Sequence, residues 1–347
     1  MKNILRAIVI LLIVAASYTL FIQYGSTPEK IVKEDKPQVS NEDAKKEKSL
    51  NIPDSGLLSF IGESAETIEK KLGKPDRVDP SAYDYEWWVY SQGAKQYVQI
   101  GLLGGKAVTL FATGDGLNTA PFKIGRPSRE VFKTAQIAPY VNVQYKGSSY
   151  RFEFSEEDMN TRPTVKVGDI YVQLYMDKFE GTLSSIRAFD APTFIKQRPY
   201  EVVYRGTLIE PQALTESDWK KIEKANEKQI FDLTNVIRAR HGLSQLSWDE
   251  GVSKVAYGHS SDMKEHHYFS HVSETEGTLK DRLEKGKVNF EQAGENIALN
   301  YVDGPAAVEG WLNSEGHRKA LLNADYTHLG VGVDEKYYTQ NFIKEWH

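Results

Sequence analysis

Two short runs near the C-terminus decide the fold: Trp311-Leu312-Asn313-Ser314-Glu315-Gly316-His317-Arg318 and Leu329-Gly330-Val331-Gly332-Val333. The first continues a helix opened by Pro305, with Val308, Trp311 and Leu312 on it. The second reads as a strand, with Tyr337 to Ile343 as the other closing strand. Upstream, Ile222, Ala225, Gln229, Ile230, Leu233, Val236 and Ile237 recur at helical spacing, and Gly242 is the stop. Ser247-Trp248-Asp249-Glu250 predicts a capping box that opens a second helix. On that helix Val252, Val255, Ala256, His259 and Met263 share one face, so His259 reads as a core residue. Thr278 to Lys285 predicts a third helix.

Residues 57–195 have a different character. Tyr85 to Tyr90, Tyr97 to Ile100, Ala107 to Phe111, Tyr150 to Phe154, Tyr171 to Leu174 and Thr182 to Phe189 read as half-buried strands. Ile61-Gly62 and Ile124-Gly125 each precede such strands, which suggests a duplicated helix-plus-meander unit. Trp87 and Trp88 fall on opposite faces of their strand. The segment has no histidine and no catalytic grouping. The fold class is therefore α+β, a strand-rich domain before a helical one that closes on two strands.

Outward again, residues 25–56 are rich in lysine and acids and read as a flexible charged linker, with 196–221 as a connector. Ala7 to Tyr24 carries no charge and follows Lys2 and Arg6. That pattern predicts a single-pass signal-anchor over 1–24, with the bulk of the chain extracytoplasmic and a membrane partner through this helix. A cleaved signal peptide ending at Ala15-Ala16-Ser17 is the rival reading, and it places the bulk on the same side. The chain has 347 residues, no cysteine and a net charge of −5. Disulfides, thiolate metal sites and cysteine nucleophiles are excluded, and no basic footprint points to nucleic acid.

Several further runs lie in register with those at the C-terminus. They are Asn235-Val236-Ile237-Arg238, Leu246-Ser247-Trp248, Phe269-Ser270-His271 and Gly294-Glu295-Asn296-Ile297-Ala298. Together the set resembles the CAP superfamily of cysteine-rich secretory, antigen 5 and pathogenesis-related proteins, in its cysteine-free bacterial branch. The resemblance gives a CAP domain over 222–347, and 57–195 looks like the CAP-associated N-terminal domain. It implies a three-layer α-β-α sandwich with a cleft lined by two histidines and two acids. Carried over, these are His271, Glu295 and His317. The second acid falls at Ser314, with Glu315 beside it.

Two imidazoles and a carboxylate are suitable ligands for a divalent cation such as zinc, with positions left for water or substrate. His271, Glu295, His317 and Glu315 are thus the candidate metal ligands. The same residues could instead be a polar cluster ordering the loops around Glu295, or a metal-assisted hydrolase site for peptides or cell-wall polymers. His-Glu-x-x-His and Gly-x-Ser-x-Gly are both absent. The expected function is a membrane-tethered binding module for a cation and a cell-envelope ligand or protein partner. Lipid binding in an apolar groove is a third reading, implied by the resemblance.

Overall fold

The computed structural model describes residues 31–33, 50–91, 95–135 and 137–346. The anchor expected over 1–24 lies outside them, and among the described residues no helix is long and apolar enough to cross a membrane. The expected linker is partly strand. Ile31–Lys33 forms β1, pairing in parallel with Val202, Val203 and Tyr204, and Leu50 bridges Val167. The β-branched Ile31 and Val32 suit an edge strand, a local preference that the composition of 25–56 conceals.

Ser64 caps α1 (Ala65–Leu72) by accepting the Thr67 N–H, and β2 (Arg77–Pro80), β3 (Glu86–Tyr90), β4 (Gln96–Leu103) and β5 (Lys106–Gly114) follow. Next come α2 (Ser128–Thr134), β6 (Tyr140–Tyr145), β7 (Ser148–Glu153) and α3 (Glu156–Thr161). The domain continues through β8 (Thr164–Val167), β9 (Ile170–Asp177), β10 (Thr182–Phe189), α4 (Ala191–Gln197) and β11 (Glu201–Arg205).

An antiparallel sheet in the order β2-β3-β4-β5-β10-β9-β8 joins the two expected units at its centre, where Phe111 lies opposite Arg187. The units share their bonding. Gly62 N–H donates to the Ala107 carbonyl in one and Gly125 N–H to the Leu183 carbonyl in the other, both at 2.8 Å. Ala65 N–H to Gly105 and Ser128 N–H to Gly181 repeat the match one step on. The Tyr150 to Phe154 run, however, leaves the second meander. Its residues up to Glu153 lie in β7, within a separate sheet ordered β1-β11-β7-β6, because its buried residues pack on Phe194 and Tyr200 instead. Trp87 and Trp88 do face opposite ways. Trp87 enters a core shared with the C-terminal domain, while Trp88 packs against the core holding Ile68 and Phe122.

The C-terminal domain runs α5 (Glu216–Arg240), β12 (Ser247–Trp248), α6 (Glu250–Glu265), α7 (Leu279–Lys285) and β13 (Gln292–Leu299). It ends with α8 (Gly304–Leu312), α9 (Glu315–Leu321), β14 (His328–Asp334) and β15 (Tyr337–Lys344). Its sheet has the order β12-β14-β15-β13, so β13 is an edge. Leu233 of α5 and Val308 and Trp311 of α8 pack on one face, and Val252 of α6 and Leu283 of α7 on the other. This is the three-layer sandwich. The expected capping box is shifted: Ser247 is paired to His328 in β12, and Asp249 caps α6 by accepting the Val252 N–H.

Gly330 and Gly332 explain how closely α6 lies on β14. A Cβ would sit 2.1 Å from the Ser253 nitrogen at Gly330 and 1.9 Å from the Tyr257 nitrogen at Gly332. The Ser253 and Ser260 hydroxyls donate to the Val331 and Gly332 carbonyls across that contact. The two domains are also joined through charge. Arg187 of β10 donates to both carboxylate oxygens of Asp303 at 2.7 and 2.8 Å, with side chains 0% and 8% exposed.

Candidate functional site

Alternation along β13 sends neighbouring side chains to opposite layers of the sandwich. Asn296 turns toward the α5 side, donating to Gln340 Oε1 and to the His317 carbonyl, both at 3.1 Å. Glu295 meets His259 of α6, Arg282 of α7 and His271 of the loop after α6. Its side chain is 4% exposed, so the carboxylate needs partners to stay charged.

It has them. Arg282 Nη2 donates to Oε2 at 2.6 Å, and His271 Nδ1 lies 2.9 Å from Oε1. Burial opposes the charge, but the His271 hydrogen bond and the Arg282 and His259 neighbours outweigh it and hold the Glu295 pKa below its ordinary value. Because an ionised carboxylate only accepts, Nδ1 of His271 carries the proton, and in the neutral ring Nε2 keeps its lone pair. Arg282 also holds the loop itself, donating to the His271 and Gly277 carbonyls at 3.1 and 2.9 Å.

His259 is fully buried, as expected of a core residue, with Nε2 3.0 Å from the Ser270 carbonyl. A carbonyl only accepts, so Nε2 holds the proton. Burial lowers its pKa, although Glu295, 3.8 Å away, pulls the other way. His317 lies on α9, its ring centroid 6.4 Å from that of His271. Burial, with His271 adding to it, pushes the His317 pKa down to about 4, so the ring is neutral at physiological pH. No hydrogen bond engages its ring nitrogens among the described residues.

The structure therefore brings His271, Glu295 and His317 together and leaves out Glu315. That residue lies on the exposed start of α9 and pairs with Lys319 at 2.8 Å. Among the described residues no group of three or more His, Asp or Glu side chains gathers closely enough to hold a metal ion. Glu295 is occupied by Arg282 and His271, which leaves the two imidazoles as donors. The residue missed in the sequence is Arg282. Its signal was a charged side chain on the Leu279 and Leu283 face of a short helix, where an apolar residue is expected.

Comparison with known proteins gives the following. The CAP-associated N-terminal family matches residues 61–200, and the cysteine-rich secretory protein family matches residues 231–344. The chain is 71% identical over 346 residues to the uncharacterized membrane protein YlbC of Bacillus subtilis strain 168, covering 100% of each. It is similar to the solved structure of an extracellular protein containing a SCP domain from Bacillus anthracis. That match has 47% identity and a TM-score of 0.81 over 87% of this chain and 99% of the other. A cysteine-rich secretory protein from Staphylococcus aureus aligns at 26% identity and TM-score 0.73, over 86% and 98%.

Proposed function

The chain belongs to the cysteine-rich secretory protein (CAP) family, and from that premise we propose that it is a membrane-tethered extracytoplasmic binding module whose cleft takes a divalent cation through His271 and His317. Lys2 and Arg6 ahead of the uncharged run support this side of the membrane. So do one relative named a membrane protein and another named extracellular.

The observation that carries the cation reading is a pair of imidazoles beside a carboxylate already committed to orienting one of them. A carboxylate on the far nitrogen of a ligating histidine fixes its tautomer and raises its basicity. Centroids 6.4 Å apart stand near the widest separation at which two rings share one ion at about 2 Å per nitrogen. His271, with a side chain 52% exposed, is the ring free to close that gap. A cation there would supply a Lewis-acidic centre with positions open to water or to an oxygen-bearing envelope ligand. Neutral imidazoles suit zinc and its neighbours better than calcium or magnesium.

Calorimetric titration of the full-length chain in detergent with zinc tests the reading. Saturable binding is expected, lost in the His271→Ala/His317→Ala double variant. Identical isotherms for the two proteins overturn it.

A further inference from the structure

The turn between β9 and β10 belongs to the N-terminal domain but holds the helix that carries His317. Asp177 shapes this turn, its Oδ1 accepting the Phe179 and Glu180 N–H groups at 3.0 Å each. Its Oδ2 takes Arg318 Nη1 at 2.7 Å, in a pair whose side chains are only 4% and 12% exposed. The Arg318 guanidinium lies over the Phe179 ring at 5.0 Å and donates to the Leu312 carbonyl at 3.2 Å. Asn313, where α8 ends, is gripped from the same turn. Its Oδ1 accepts the Lys178 N–H at 2.9 Å, and its Nδ2 donates to the Met176 carbonyl at 2.8 Å.

His317 thus sits between two residues, Asn313 and Arg318, that are both bonded to the other domain. From its own domain Asn296 adds a hydrogen bond to the His317 carbonyl. A charge-assisted pair of this burial is geometrically strict, because any displacement exposes an unpaired charge to a low-dielectric interior. The placement matters for the cleft, since the two rings stand near the limit for sharing an ion.

Resting on the cation reading above, we infer that residues 177–181 of the CAP-associated domain are a positioning element for the cleft. They fix α9 and so set the distance between the His317 and His271 imidazoles. Asp177, Arg318 and Asn313 touch no ligand themselves. They act through His317, and the N-terminal domain then has a role at a site to which it contributes no cleft side chain.

The test is Asp177→Asn in the full-length chain in detergent, read with copper(II) as probe by electron paramagnetic resonance and with zinc by calorimetry. The wild type is expected to show two coordinated imidazole nitrogens, and the variant one, with zinc affinity down about tenfold, as for outer-shell changes at metal sites. Arg318→Gln should do the same, and the double variant no worse than either single. Arg77→Gln breaks the Arg77–Asp232 pair between the domains, away from this turn, and should leave both readouts unchanged. Unchanged copper spectra in Asp177→Asn, or an equal loss in Arg77→Gln, overturn the inference. If the wild type binds no cation, the cation reading fails, and ring-to-ring nuclear Overhauser contacts between His271 and His317 decide the positioning role separately. Their loss in Asp177→Asn upholds it, and their persistence overturns it.

Discussion

Glu295 keeps its charge where burial alone would remove it, held by the His271 hydrogen bond and by Arg282, whose own side chain is 4% exposed. The guanidinium has two tasks: it neutralises the carboxylate and it ties down the carbonyls of the loop that presents His271. Removing one partner of such a pair leaves a buried charge without compensation. Arg282→Gln should therefore destabilise the fold by about 3–5 kcal/mol in urea unfolding. A loss below about 1 kcal/mol, the range of exposed pairs, would contradict this account. The cluster around Glu295 is a polar arrangement that orders its loop, one carboxylate holding both His271 and the arginine bonded to the loop carbonyls.

Among the elements, β14 was readable and β13 was not. Leu329-Gly330-Val331-Gly332-Val333 alternates apolar residues with glycine, and the structure gives its glycines the task of admitting α6. Gly332→Ala forces a Cβ against helix backbone, which cannot rotate away as a side chain can. It should cost at least the 1–3 kcal/mol typical of overpacking, measured by thermal or urea unfolding, whereas Gly316→Ala meets nothing within 4 Å and should be nearly neutral. β13 escaped notice because Gln292, Gly294, Glu295 and Asn296 are polar or small, and a strand without apolar alternation has no period to detect. Its pairing with β15, Glu295 opposite Asn341, is what places the carboxylate.

Over the whole molecule, the two domains fold onto one another through buried polar groups as well as a shared core. Glu309 of α8 is one of these. Its Oε1 accepts the Ser185 and Ser184 hydroxyls at 2.7 and 3.2 Å, and its Oε2 has no partner among the described residues. Burial pushes its pKa up to about 7, against the Ser185 and Ser184 hydrogen bonds and the nearby Arg240, with Asp177 adding to the rise. The folded state therefore binds this proton more tightly than the unfolded chain. Its contribution to stability is fully present below about pH 4.5 and lost as pH rises through about 7, by up to about 3 kcal/mol. Glu309→Gln should accordingly gain thermal stability over the wild type as pH rises from 5 to 8. A difference that does not change with pH would show that the carboxyl does not titrate in the interface.

The sequence by itself determined the α+β class, the duplicated unit and the CAP motifs, whose family resemblance picks out His271, Glu295 and His317. Each of these is written in local periodicity or in fixed spacing along the chain. Only the tertiary structure decided that Glu315 stands apart, that Arg282 and His259 back Glu295, and that a turn of the first domain grips the helix bearing His317. Those facts depend on which faces of separate elements meet, and a short helix or a polar edge strand leaves no trace of that in its own pattern. The interdomain polar contacts are the clearest case. Asp177 and Arg318, or Arg187 and Asp303, are ordinary charged residues in sequence, and each becomes decisive because folding removes water from around the pair.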